Sequence, residues 1–181
     1  MSAILLAGFG GQGILFAGKQ LVLAGMKADK QVSWLPSYGP EMRGGTCNCS
    51  VNIDDEPIGS PLVTTPDILI AMNKPSLLKF EGRVAVGGTI VIDSALIDVK
   101  TSREDVNACY IPATQMANDA GFPKLANVII LGYLIKKTGL YDYDYFMDCI
   151  KASAPKAKPE LGELNAKALA MGYSYEGQKH A

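Results

Sequence analysis

Histidine is nearly missing from this sequence. Its single copy, His180, is the penultimate residue. That all but removes histidine-based acid–base catalysis and histidine metal sites. Cysteine is present four times, as Cys47, Cys49, Cys109 and Cys149, but no pair forms C-x-x-C and no histidine lies near any of them. A zinc site or an iron–sulfur cluster held by this chain alone is therefore not expected. Charge of either sign is not in excess: 17 basic residues face 18 acidic ones, for a net charge of -1. Such a balance gives no electrostatic footprint for nucleic acid or for an acidic membrane surface. Long apolar runs are missing as well. Residues 1–18 carry no charged side chain, yet Gly8, Gly10, Gly11, Gly13 and Gly18 interrupt them, and no basic residue precedes Lys19 as a secretory signal would require. The apolar block 128–135 is far shorter than the roughly 20 residues a membrane span needs. Free thiols without a secretory signal lead us to expect the cytoplasm.

What is there is the material of one soluble globular domain. The 181 residues are 48% apolar and 8% aromatic, with 19 glycines and 10 prolines. That length suits a single core spanning 1–181. Residues 2–7 read as a fully buried strand, 8–13 as a turn, and 12–24 as a helix with Gly25 as its stop. Residues 31–35 read as a second strand, so the order is β, glycine turn, α, β, a crossover that favours parallel strands. Residues 35–45 (LPSYGPEMRGG) read as a loop, since two prolines and three glycines do not sustain a helix or a strand. In 46–54, Cys47, Cys49, Val51 and Ile53 alternate with polar residues, the signature of a half-buried strand. The acidic stretch 54–57 is expected to turn it back towards a short antiparallel partner.

Residues 67–72, 89–93 and 106–111 read as further strands, and 75–80 as a short helix with proline in its first turn. The last third is helical, over 112–120, 124–138, 143–153 and 160–171, with Gly139 and Gly172 as stops. Residues 151–159 look like a linker, and the helix after it, within 159–172, either packs on the body or extends to a partner.

Gly8, Gly10, Gly11, Gln12 and Gly13 lie in a G-x-G-x-x-G pattern between strand and helix. Glycines there let the backbone approach a phosphate, and the helix beyond offers unpaired N–H groups and a positive dipole end. The alternative is that they only permit a tight turn and close packing. A dinucleotide site also wants an acidic residue closing the second strand, and that strand ends in Trp34-Leu35-Pro36. A stand-alone NAD- or FAD-binding Rossmann protein is thus the rival reading. In 36–45, Arg43 between Glu41 and Gly44-Gly45 can lay its guanidinium on a carboxylate or phosphate. Trp34, Leu35, Tyr38 and Met42 around it suit a protein interface better than a solvated loop. Cys47 and Cys49 read as core residues. Asp93 ends a strand where α/β sheets place ligand groups, or else caps the next segment. Tyr141, Tyr143, Tyr145 and Phe146 read as packing for the helical layer, and His180 as a tail residue.

These residues together carry a resemblance. The stretches Gly8 to Ile14, Trp34 to Thr46 (with PSYGPEMRGGT as its most specific block), 48–51, 58–61, 66–67, 73–77, 127–139 and 158–172 are similar to the gamma subunit of 2-oxoacid:ferredoxin (acceptor) oxidoreductases. The same unit occurs as one domain of single-chain pyruvate:ferredoxin oxidoreductases. The resemblance implies an α/β fold: a three-layer Rossmann-like domain with a mostly parallel sheet, a β-hairpin element and a C-terminal helical segment. It implies a complex that decarboxylates a 2-oxoacid with coenzyme A and reduces ferredoxin. Thiamine diphosphate, magnesium and iron–sulfur clusters would belong to other subunits. The partners implied are thiamine-binding alpha and beta subunits and a ferredoxin-like delta subunit, and the free chain is expected to self-associate through the surface meant for them. No catalytic residue is expected in this chain. Gly8, Gly10, Gly11, Gln12, Gly13 and Arg43 are expected to face the coenzyme A site or else the neighbouring subunit. Tyr38, Pro40, Glu41, Met42, Arg43, Gly44 and Gly45 are expected at the partner interface. The short form of the chain looks most like the 2-oxoglutarate type, with branched-chain and pyruvate enzymes as alternatives.

Overall fold

The computed structural model describes residues 1–38, 46–155 and 157–177. Arg43, Pro40, Glu41, Met42, Gly44, Gly45 and His180 lie outside the described residues. The unbroken apolar run of β1 (Ser2–Phe9) is what a strand buried on both faces requires. It sits inside a six-stranded sheet of order β2-β3-β1-β4-β5-β6, with β2 (Gln31–Tyr38), β3 (Thr46–Asp54), β4 (Ile68–Ala71), β5 (Thr89–Asp93) and β6 (Asn107–Ile111). β1, β4, β5 and β6 are parallel neighbours, while β3 pairs antiparallel with both β1 and β2. The β1–β2 crossover does make these two strands parallel, but β3 lies between them. The antiparallel partners of β3 are therefore β1 and β2, and not a strand after residue 57 as its turn residues had led us to expect.

Alternate residues of β1 feed two cores. Ile4 and Leu6 join Cys49, Val51 and Ile70 beneath α1 (Ile14–Lys27), α3 (Ala113–Asp119), α4 (Ala126–Thr138), α5 (Tyr143–Ala152) and α6 (Glu160–Ser174). Ala3, Leu5 and Ala7 join Leu69, Ile92 and the Leu77 and Phe80 side chains of α2 (Lys74–Phe80) on the other face. The three layers are thus unequal: five helices cover one face, and one short helix with the 58–66 segment covers the other. The polar face of β3 is not solvated. Asn52 Nδ2 donates to Ser33 Oγ at 3.0 Å and to the Pro61 carbonyl at 3.2 Å, and Ser50 Oγ accepts from the Val63 amide at 3.2 Å.

Three expected breaks are not breaks. β2 runs on to Tyr38 through Pro36, which an edge strand tolerates because one ladder hydrogen bond fewer is required there. α1 continues through Gly25 to Lys27, and α6 through Gly172 to Ser174. At Gly172 the missing Cβ lets the helix backbone touch the Ile129 carbonyl of α4, and at Gly132 the α4 backbone meets the Leu169 carbonyl of α6 in the same way. These glycines allow a close crossing, which holds α6 against the body. Gly139, by contrast, ends α4 in the left-handed conformation at φ 61°. Tyr141 and Tyr145 donate their hydroxyls to the Leu21 and Ala24 carbonyls at 2.8 and 2.6 Å, so the tyrosines pin α5 to α1 as expected.

Candidate functional site: the crevice after β1 and β4

Chain connectivity makes one crevice. β1 leaves the sheet towards α1 on one face, and its parallel neighbour β4 leaves towards α2 on the other. Diverging connections at adjacent carboxyl ends are where open α/β sheets take ligands. The β1–α1 loop is the lip of this crevice. Phe9 donates its N–H to Gln12 Oε1 at 2.6 Å, and Gln12 Nε2 donates to the Met72 carbonyl at 2.8 Å. Gln12 thus straps the loop to the end of β4, and its side chain is taken up by the fold. Gly8 is buried and makes the strap possible, since a Cβ there would lie 2.5 Å from Gln12 Oε1.

Gly11 and Gly13 have φ of 96° and 74°, which any other residue adopts only with strain. Gly13 caps α1 without a side chain, and its carbonyl accepts from Asn127 Nδ2 at 3.1 Å. Asn127 is 4% exposed, and its Oδ1 finds no partner among the described residues. Gly10 and Gly11 are exposed. The amides of Gly10, Gly11, Gly13 and Ile14 make no hydrogen bond among the described residues. The head of a 14-residue helix with several free N–H groups is an anion-binding element.

The loop that carries the second set of expected residues starts and ends beside this lip. Tyr38 closes β2 opposite Cys47, and Thr46 opens β3 opposite Phe9. Tyr38 and Thr46, the described residues on either side of 39–45, therefore lie at the same end of the sheet as the glycine loop.

Other candidates turn out to be structural. Asp93 is fully buried and accepts from the Ala95 and Thr114 amides at 3.1 and 3.2 Å and from Thr114 Oγ1, so it caps the segments after β5 and β6 and is not a ligand group. Burial pushes its carboxyl above the usual carboxylate range, an effect these bonds oppose. Cys47 and Cys49 are core residues, and burial pushes the Cys49 thiol up to about 12. Among the described residues no group of three His, Cys, Asp or Glu side chains can hold a metal, and no helix is long and apolar enough to cross a membrane. Sequence reasoning missed Asn127 and Asn73. Asn73 Oδ1 accepts from the Ser76 amide at 2.8 Å and caps α2 beside the crevice. The only available signal was asparagine directly before Lys-Pro, a helix start.

Residues 3–175 match the family described as pyruvate ferredoxin/flavodoxin oxidoreductase. The chain belongs to this family. It is 36% identical to the 2-oxoglutarate synthase subunit KorC of Methanocaldococcus jannaschii, over 94% of this chain and 91% of that one. It is 40% identical to the ketoisovalerate oxidoreductase subunit VorA of Methanothermobacter marburgensis, over 93% of this chain, but spans only 35% of that relative's length. Among solved structures, the gamma subunit of a keto/oxoacid ferredoxin oxidoreductase from Geobacter sulfurreducens superposes with a TM-score of 0.80 at 28% identity, over 96% of each chain. The dinucleotide-binding rival is not favoured: β2 carries no carboxylate and does not neighbour β1, so no ribose-holding group stands beside the glycine loop among the described residues.

Proposed function

We propose that this chain is the gamma-type subunit of a 2-oxoacid:ferredoxin oxidoreductase. In this reading it is without catalytic residues of its own, and it docks on thiamine-binding alpha and beta subunits beside a ferredoxin-like delta subunit in the cytoplasm. The observation that carries this reading is the family match along 3–175. Thiamine diphosphate, magnesium and iron–sulfur clusters would sit on the partners. Coenzyme A would supply the acyl acceptor, and this chain would help hold it. The free amides of Gly10, Gly11 and Gly13 face a phosphate of that cofactor, Gly8 and Gln12 shape the lip, and Arg43 supplies a guanidinium. Tyr38, Pro40, Glu41, Met42, Gly44 and Gly45 form the contact with a thiamine-binding subunit.

For the substrate we propose 2-oxoglutarate, because the 2-oxoglutarate synthase relative is matched along nearly its whole length. The higher identity to a ketoisovalerate subunit supports a branched-chain 2-oxoacid as the second reading.

The test is reconstitution with the thiamine-binding subunits and an assay of ferredoxin reduction dependent on coenzyme A. 2-Oxoglutarate, 2-oxoisovalerate and pyruvate are compared, and the isolated chain is expected to be inactive. In the same complex Arg43→Ala is expected to slow acyl-CoA formation or weaken assembly. If neither changes, the role given to the loop is wrong.

A further inference from the structure

The two edges of the sheet are finished differently. β2 carries Pro36, which has no N–H to offer a neighbour. β6, at the other edge, reads Asn107-Ala108-Cys109-Tyr110-Ile111, with no proline and no charged side chain, and its first four residues reach solvent. Its ladder to β5 uses alternate residues. The Asn107 amide donates to the Gly88 carbonyl at 2.7 Å, and the Ile111 carbonyl accepts from Ser94 at 3.0 Å. The N–H and C=O groups of Ala108 and Tyr110 consequently point away from the sheet, and none of them is hydrogen-bonded within the described residues. Such a row is a template for another strand.

A trough of about 580 Å³ runs along this edge. Ala108 and Tyr110 form its floor, Lys100 one wall, and Tyr133, Lys137 and Tyr175 the other. With the flanking Lys74 and Lys136 counted, four lysines here, Lys100 and Lys137 included, face the two carboxylates of Asp98 and Glu176. The acidic residues on the rim are already paired, Asp98 with Lys74 and Glu176 with Lys136, each at 2.9 Å. Lys100 and Lys137 form no salt bridge among the described residues, although the Lys137 charge adds to that of Lys136 in holding Glu176 low. Lys137 Nζ instead lies 5.1 Å from the centroid of the Tyr133 ring, which itself meets Tyr175 edge to face at 5.6 Å. An excess of ammonium groups, two of them without a salt bridge, beside free backbone donors and acceptors suits an extended segment with acidic side chains.

We propose that the free edge of β6 receives an extended segment of a neighbouring subunit, bearing at least one acidic side chain, as a seventh strand of the sheet. The proposal rests on the subunit reading above. Hydrogen exchange read residue by residue, on the isolated chain and on the assembled complex, tests it. Ala108 and Tyr110 amides are expected to exchange freely in the isolated chain and at least about tenfold more slowly after assembly, while Cys109 and Ile111 are slow in both. Lys100→Glu with Lys137→Glu is expected to keep the circular dichroism spectrum and weaken assembly about tenfold or more at low salt. Assembly without protection at Ala108 and Tyr110, or with full affinity in the charge-reversed variant, overturns the edge proposal and leaves the subunit reading standing. Failure to assemble at all overturns both. Protection already present in the isolated chain assigns the edge to the chain itself or to a second copy, and likewise overturns the proposal.

Discussion

The side-chain amide of Gln12 donates to the carbonyl of Met72 at 2.8 Å, so a loop residue after β1 is fixed to the first residue after β4. The same side chain accepts from Phe9 at 2.6 Å. Gln12→Glu removes the donor and sets a carboxylate against a carbonyl oxygen. The expected loss is about 1–3 kcal/mol of unfolding free energy, read by urea denaturation. Exchange of the Phe9 and Gln12 amides, the two that are hydrogen-bonded in this loop, should accelerate more than that of β5 amides. A uniform acceleration would mean that Gln12 is not a local strap.

Gly172 separates two roles of glycine. Alanine is favoured over glycine by about 1 kcal/mol in a helix interior. A Cβ at this position nevertheless meets the Ile129 carbonyl of the neighbouring helix, which is backbone and cannot swing aside. Overpacking of this kind typically costs 1–3 kcal/mol. Gly172→Ala is therefore expected to destabilise despite its better helix propensity. Gly59→Ala, where nothing lies near a Cβ, should be close to neutral. Thermal melts of the two variants check the sign.

Those glycines also show where sequence reading runs out. The apolar run of β1, the glycine turn, the helix behind it and the alternation in β3 were legible because burial imposes a period on the residues themselves. Which strand pairs with which is a long-range choice, so the insertion of β3 between β1 and β2 left no local mark. Gly25 and Gly172 read as helix stops because close packing and chain reversal ask for the same residue. Pro36 read as a strand breaker because its harmlessness depends on the edge position of β2. At the site, the glycine pattern marked the loop, yet the strap made by Gln12 and the hydrogen bond from Asn127 to the Gly13 carbonyl depend on contacts 60 and 114 residues away.

Cys49 offers a chemical test of the core assignment. It is fully buried, its Sγ lies 3.7 Å from the Ile14 carbonyl, and its thiol is raised to about 12. The thiolate is the reactive form. At pH 8 the native chain should leave Cys49 unlabelled by iodoacetamide over hours, with modification appearing only in denaturant. Prompt labelling of Cys49 under native conditions would contradict the packing of β3 against α1.

Asp93 gives a pH dependence whose sign is opposite to the usual one for carboxylates. Burial raises its native value above that of the unfolded chain, the bonds from Thr114 and Ala95 only partly opposing the shift. A native state that holds its proton to higher pH binds more protons than the unfolded chain between the two values. Stability from this group is then full below the unfolded value and declines as pH rises towards the native one. Exposed carboxylates such as Asp98 and Glu176, lowered by hydrogen bonds from Lys74 and Lys136, act in the other direction and mask the effect in a single curve. The difference between wild type and Asp93→Asn isolates it. From about pH 4 upwards, urea denaturation should show wild-type stability falling relative to the variant until the native value is passed, and a constant offset beyond it. A difference that instead grows in favour of wild type with rising pH would show that the hydrogen bonds outweigh burial, and that Asp93 is held as a carboxylate.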